Sequence, residues 1–214
     1  MSAVETSGRP TGLGARVLGL AWRALVLEVR MYDSIVRVLL RRPAVAPGAS
    51  GFRYDAPTRV LLVAFVVVSA VELVVVDVLV HRWPWVRVPF LVVGIWGLVW
   101  MVGLMCSHRV RPHVVGPAGV TVRDGLELDV HLPADVVARV TRRKRSYADK
   151  PSRVVQDQGS RVMVVAVSQE TNVEVVLDRP TTVRLPGRRT AEVDGVRLWA
   201  DDPDGFVAAA HERG

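Results

Sequence analysis

Residues 60–80 read VLLVAFVVVSAVELVVVDVLV, and residues 88–106 read VPFLVVGIWGLVWMVGLMC. The first run contains two charged groups, Glu72 and Asp77, and the second contains none. About twenty apolar residues rising roughly 1.5 Å each cross about 30 Å of hydrocarbon. The two runs are therefore expected to form a membrane hairpin over residues 59–107. The connection from His81 to Arg87 places Trp83 and Trp85 where an interfacial aromatic belt belongs.

Charge is distributed unevenly around this hairpin. The chain has 214 residues, with 28 Lys+Arg against 21 Asp+Glu and half its residues hydrophobic. That apolar content excludes disorder of the whole chain. The single cysteine, Cys106, excludes a disulfide scaffold. Most of the excess positive charge precedes residue 60, and the hairpin itself is neutral. Cytoplasmic flanks carry the arginine excess, so both tails are expected on the cytoplasmic side of a cell membrane, with the chain crossing more than once.

Upstream, residues 1–12 are small and polar and read as a disordered start. Residues 13–42 have helical periodicity. Arg16, Arg23, Arg30 and Arg37 recur every seven residues, and Arg41 returns to the same face. A cationic ridge beside a broad apolar surface suits an amphipathic helix lying in the membrane interface. The same pattern also suits a helix packed on the rest of the protein with its arginines in water. Residues 43–58 contain three prolines and two glycines and read as a linker.

Downstream, residues 108–214 read as a mostly β domain. Turn signals at Gly116-Pro117, Asp124-Gly125, Pro186-Gly187 and Asp194-Gly195 separate short valine-rich runs. Leu126, Leu128, Val130 and Leu132 alternate with polar residues, as a half-buried strand does. About seven antiparallel strands are expected, in a small sandwich or barrel. Asp202 as N-cap, Pro203 in the first helical position and Asp204 in the first turn mark a closing C-terminal helix.

The stretch RPHVVGPAGVTVRDGLELDVHLPADVVARV, the strands after it and the closing VRLWADDPDGFVAAA resemble bacterial membrane proteins that carry a pleckstrin-homology-like domain. The echoes are Gly119-Val120-Thr121-Val122-Arg123, Leu132-Pro133-Ala134-Asp135-Val136-Val137 and Asp201-Asp202-Pro203 followed by Phe206. Ala134 stands where such domains usually carry an aromatic. The chain also resembles a family of uncharacterised integral membrane proteins from high-GC bacteria. The resemblance implies an α+β fold with a capping helix and a basic inter-strand loop as ligand site. It implies no reaction, because such domains act as scaffolds for lipid or protein contacts.

Two clusters are candidates for function. Within the hairpin, Glu72 lies about 3 Å from the expected midplane. A carboxyl there needs a partner, and the indoles of Trp96 and Trp100 are candidate donors. The cluster reads either as a packing device or as the centre of a transport or proton-coupled subunit. Asp77, near the membrane edge, reads as a rim ion pair with Arg82 or Arg87. In the domain, Arg142, Arg143, Lys144 and Arg145, followed by Lys150 and Arg153, lie in a polar stretch read as an irregular loop. Near an anionic leaflet each contributes about 1 kcal/mol of attraction. The partners this implies are membrane lipids, an unidentified acidic protein or a further copy of the chain, with a solvated loop as the plain alternative. Nucleic acid fits less well, since no aromatics interleave the run. His108 and His113 read as juxtamembrane or surface residues. No metal spacing, cofactor motif, phosphate loop or nucleophile elbow appears. The function expected is a membrane-anchored scaffold or binding module, not an enzyme.

Overall fold

The computed structural model describes residues 13–40, 45–149 and 151–212. The expected disordered start, Arg41 and Lys150 lie outside the described residues, as do the side chains of Arg16 and Arg23. Three long helices precede the domain: α1 (Leu13–Leu39), α2 (Ala56–Val80) and α3 (Pro84–Val110). Among the described residues, α2 and α3 are the helices long and apolar enough to cross a membrane. At about 1.5 Å per residue they are roughly 38 and 40 Å long, so each exceeds a hydrocarbon core. Only His81, Arg82 and Trp83 link them, because Pro84 and Trp85 already belong to α3.

The helices meet where a side chain is missing. Gly94 of α3 leaves room for Leu73 of α2, and Gly103 leaves room for Met31 and Ile35 of α1. Glu28 of α1 reaches Trp96 on one side of the Gly103 contact, while Arg30, Ser34 and Arg37 face Val110 and Arg111 on the other. The contacts thus extend along α3 from Trp96 to Arg111. Helix α1 has a packed side and an open side. Met31 and Ser34 are buried, whereas Val17, Leu20, Trp22, Leu25, Val29 and Val36 are exposed.

The β region is an α+β unit of two sheets. One has β1 (Ser50–Phe52), β2 (His113–Gly116), β3 (Gly119–Asp124) and β4 (Leu128–Pro133) in sequential antiparallel order. The other has β5 (Val137–Ser146), β6 (Val154–Asp157), β7 (Ser160–Val165), β8 (Glu170–Leu185) and β9 (Arg189–Leu198), ordered β5-β8-β9-β7-β6. The sequence expectation of about seven antiparallel strands is corrected twice. Residues 113–198 hold eight strands, and β7 runs parallel to β9. The supposed linker is also corrected. It supplies β1, whose Phe52 pairs with His113, and it opens α2 at Ala56.

Alternation builds the core. Leu128, Val130 and Leu132 point inward from β4 between exposed Asp129 and His131. They meet Val173, Val175, Val196 and Leu198 from the second sheet. Helix α4 (Pro203–His211) closes the unit through fully buried Phe206, whose ring lies edge-on to Phe52 at 5.2 Å. Pro180 falls where the β8–β9 register breaks between Val176 and Thr181, so it removes no ladder hydrogen bond.

Candidate functional site at the helix–domain junction

The basic run is on a strand, not in a loop. Arg142, Arg143, Lys144 and Arg145 belong to β5, the edge strand of the second sheet. Each has a carboxylate partner: Arg142 with Asp204 at 2.8 Å, Arg143 with Glu174 at 3.0 Å, Lys144 with Glu170 at 3.1 Å and Arg145 with Asp157 at 3.1 Å. Arg153 pairs with Asp124 at 2.5 Å. Across the sheet, buried Arg197 of β9 donates from Nε to Glu174 at 2.7 Å and from Nη2 to Asp157 at 2.6 Å. A charge relay thus runs Arg143–Glu174–Arg197–Asp157–Arg145. Burial works against the Glu174 carboxylate, but Arg197 and Arg143 outweigh it and hold the acid below its usual range. The Arg197 hydrogen bond does the same for Asp157. Burial disfavours the Arg197 cation, and its two carboxylates reverse that effect. Lys144 and Ser146 hold Glu170 low. The expected open cationic patch is therefore largely neutralised by its own domain. The acids responsible are scattered through three other elements and the β6–β7 hairpin, so only strand register brings them to the arginines.

Exposed arginines without an ion pair among the described residues lie elsewhere, and include Arg82, Arg139, Arg161 and Arg184 on other surfaces. Arg59, in the first turn of α2, and Arg109, in the last turn of α3, are exposed and form no ion pair among the described residues. Both flank the seam between helices and sheets, which is held tightly. Tyr54 is buried, stacks on the His113 ring at 4.6 Å and accepts a hydrogen bond from the Gly125 backbone N–H at 2.8 Å. Burial raises the Tyr54 phenol above its ordinary pKa. His113 is fully buried. Its Nδ1 accepts from the Arg123 backbone N–H at 3.0 Å, so its Nε2 carries the proton and donates to the Trp199 carbonyl at 3.0 Å. Burial pushes its pKa down to about 4, and the Trp199 hydrogen bond only partly opposes this. The surface role expected for His113 is corrected: β1 and Tyr54 cover it.

Asp201 completes the seam. Its carboxylate accepts the Ala56 backbone N–H of α2 at 3.1–3.2 Å and the Trp199 indole N–H at 3.1 Å. Its neighbour Asp202 caps α4 by accepting from Gly205 N–H at 2.9 Å. Two adjacent aspartates therefore cap two different helices. The sequence identified the Asp202 cap and gave no sign of the Asp201 one, because α2 begins far upstream.

Beside this seam is a cleft of about 350 Å³, lined by Thr58, His108, Asp124, Arg153, Ser168 and Gln169 among others. Ser168 and Gln169 have φ of 49° and 65°. They form the two central positions of the tight turn between β7 and β8, closed by reciprocal Val167–Glu170 backbone bonds. Such turns favour Asn or Gly, so this pair holds local strain at the cleft wall. Among the described residues no three His, Cys, Asp or Glu side chains converge as a metal site.

Within the hairpin, Arg87 of α3 grips Asp77 with two hydrogen bonds of 2.6 and 3.0 Å, the rim pair read from the sequence. The Glu72 expectation is corrected. Trp96 donates to Glu28 of α1 at 3.0 Å, and Trp100 forms no side-chain hydrogen bond among the described residues. Glu72 is exposed, because Leu73 turns toward α3 and the position before it lies about 100° away. Arg30 donates to the Leu126 carbonyl at 3.2 Å and Arg37 pairs with Asp33 at 2.7 Å. No protein-family model, curated protein or solved structure matches this chain.

Proposed function

We propose that the chain is a membrane-anchored binding module, not an enzyme, that contacts anionic headgroups at the helix–domain junction. In this reading α2 and α3 form a transmembrane hairpin with both tails cytoplasmic. Helix α1 lies in the interface, a reading supported by its exposed apolar face. The domain acts as a pleckstrin-homology-like scaffold. Two sheets closed by a C-terminal helix support that likeness, and the parallel β7–β9 pair departs from it.

The observation carrying this function is that two of the exposed, unpaired cations flank the junction cleft. Arg59 and Arg109 are open at the ends of the two apolar helices, next in sequence to the cleft residues Thr58 and His108, whereas Arg142 to Arg145 are all paired. Each open arginine contributes about 1 kcal/mol toward an anionic surface. The test uses the full chain in lipid discs of phosphatidylcholine with or without phosphatidylglycerol. The anionic lipid is expected to raise the melting temperature. Arg59→Gln with Arg109→Gln should remove most of that rise, and Arg142→Gln with Arg143→Gln should leave it. A rise that survives the first pair and vanishes with the second overturns the assignment.

A further inference from the structure

Helix α2 carries two seams at alternating spacings of three and four. Leu62, Val66, Ser69, Leu73, Val76 and Val80 are half-buried, and Leu73 fills the space beside Gly94 on α3. Rotated by one residue, Leu61, Phe65, Val68, Glu72, Val75 and Leu79 form a second seam, and all six are exposed. Spacings of four and three are those by which one helix packs along another in a left-handed supercoil. The first seam has its helix. The second has none, since α1 packs on α3.

Glu72 sets the second seam apart from ordinary lipid-facing surface. Among the described residues it forms no hydrogen bond and no ion pair. The nearest basic residues along α2 are Arg59 and Arg82, about 20 and 15 Å away at the two ends of the helix. Arg87 is held by Asp77. An uncovered carboxyl in hydrocarbon is costly, and among the described residues no group answers it. A carboxylic acid carries one donor and one acceptor, so it is self-complementary across a two-fold axis. One polar residue inside an apolar seam also fixes register and copy number.

We propose that this seam of α2 is the interface with a second copy of the chain, the two helices packed in parallel with the Glu72 carboxyls hydrogen-bonded to each other. The proposal rests on the transmembrane reading of α2, and the test separates the two.

Single cysteines are introduced at Val68, Val75, Val67 or Val74 in the full chain carrying Cys106→Ala, and membranes are treated with a mild oxidant. Disulfide-linked dimers are expected at positions 68 and 75 and not at 67 and 74, which lie on another exposed face. Glu72→Gln, which keeps a donor and an acceptor, retains the dimer. Glu72→Leu lowers the association constant about tenfold. Equal cross-linking at all four positions, its absence at 68 and 75, or linkage there to a different protein overturns the proposal. Alkaline extraction tests the membrane reading separately: a chain that stays in the membrane without cross-linking has lost the dimer alone.

Discussion

His113 and the carboxylates around Arg197 have their charge states set by the fold, and they respond to pH in different windows. His113 is neutral when folded, with a pKa near 4 against 6.5 when free. The unfolded chain therefore binds more protons between those values, and stability falls as pH drops through 6.5 toward 4. The loss amounts to about 3 kcal/mol in full. Melting of the full chain in detergent should drop between pH 7 and 4.5, and His113→Gln should melt lower at pH 7 with that slope removed. Asp157 and Glu174 act below this range, since their depressed values keep them charged until the solution is more acidic than a free carboxyl requires. Arg197→Met strands both acids and should cost about 2–4 kcal/mol by thermal melting. Arg142→Gln breaks an exposed pair and should cost under about 1 kcal/mol. Charge identity was legible in the sequence and charge state was not. The run of four basic residues is visible in one line of text, but its neutralisation depends on Asp157, Glu170, Glu174 and Asp204 arriving in register.

Elements with strong local signals matched their sequence reading. Uninterrupted apolar length marked α2 and α3, alternation marked β4, and Asp202-Pro203 marked the start of α4. Ser50-Gly51-Phe52 is too short for its own periodicity and sits among prolines and glycines, so its strand character comes from the edge of β2. The two aspartates before α4 give a direct test at this scale. Asp201→Ala should loosen α2, with faster amide exchange over residues 56–59 and a loss of about 1 kcal/mol. Asp202→Ala should instead loosen α4 and leave α2 protected. Gly103→Leu should dislodge α1 from α3, because the new side chain takes the space that Met31 and Ile35 occupy.

At the scale of the whole molecule the β unit does not begin at residue 108. It draws β1, Tyr54 and the Arg53 carbonyl, which accepts the Asp201 N–H at 2.8 Å, from the far side of the helical hairpin. Residues 109–214 alone should therefore be less stable by about 3–5 kcal/mol, since the Tyr54 side chain is lost from over His113. Joining residues 49–56 to Arg111 through a short glycine-rich loop, in place of both long helices, should restore the melting temperature. Hydropathy separates helices from sheets cleanly and cannot report a pairing that spans them both. The two long helices are thus an insertion between neighbouring strands. During synthesis β1 emerges before them and β2 after, so the first sheet finishes only if the hairpin brings the chain back to the side it left. In the transmembrane reading proposed above, a chain that inserts one helix and misses the other leaves β1 and β2 on opposite faces of the bilayer. The edge of β2 then stays open, His113 loses its cover and Asp201 has no helix to cap. In that reading the β unit carries a record of whether the helical hairpin was threaded correctly, written as an exposed strand that quality-control proteases can read.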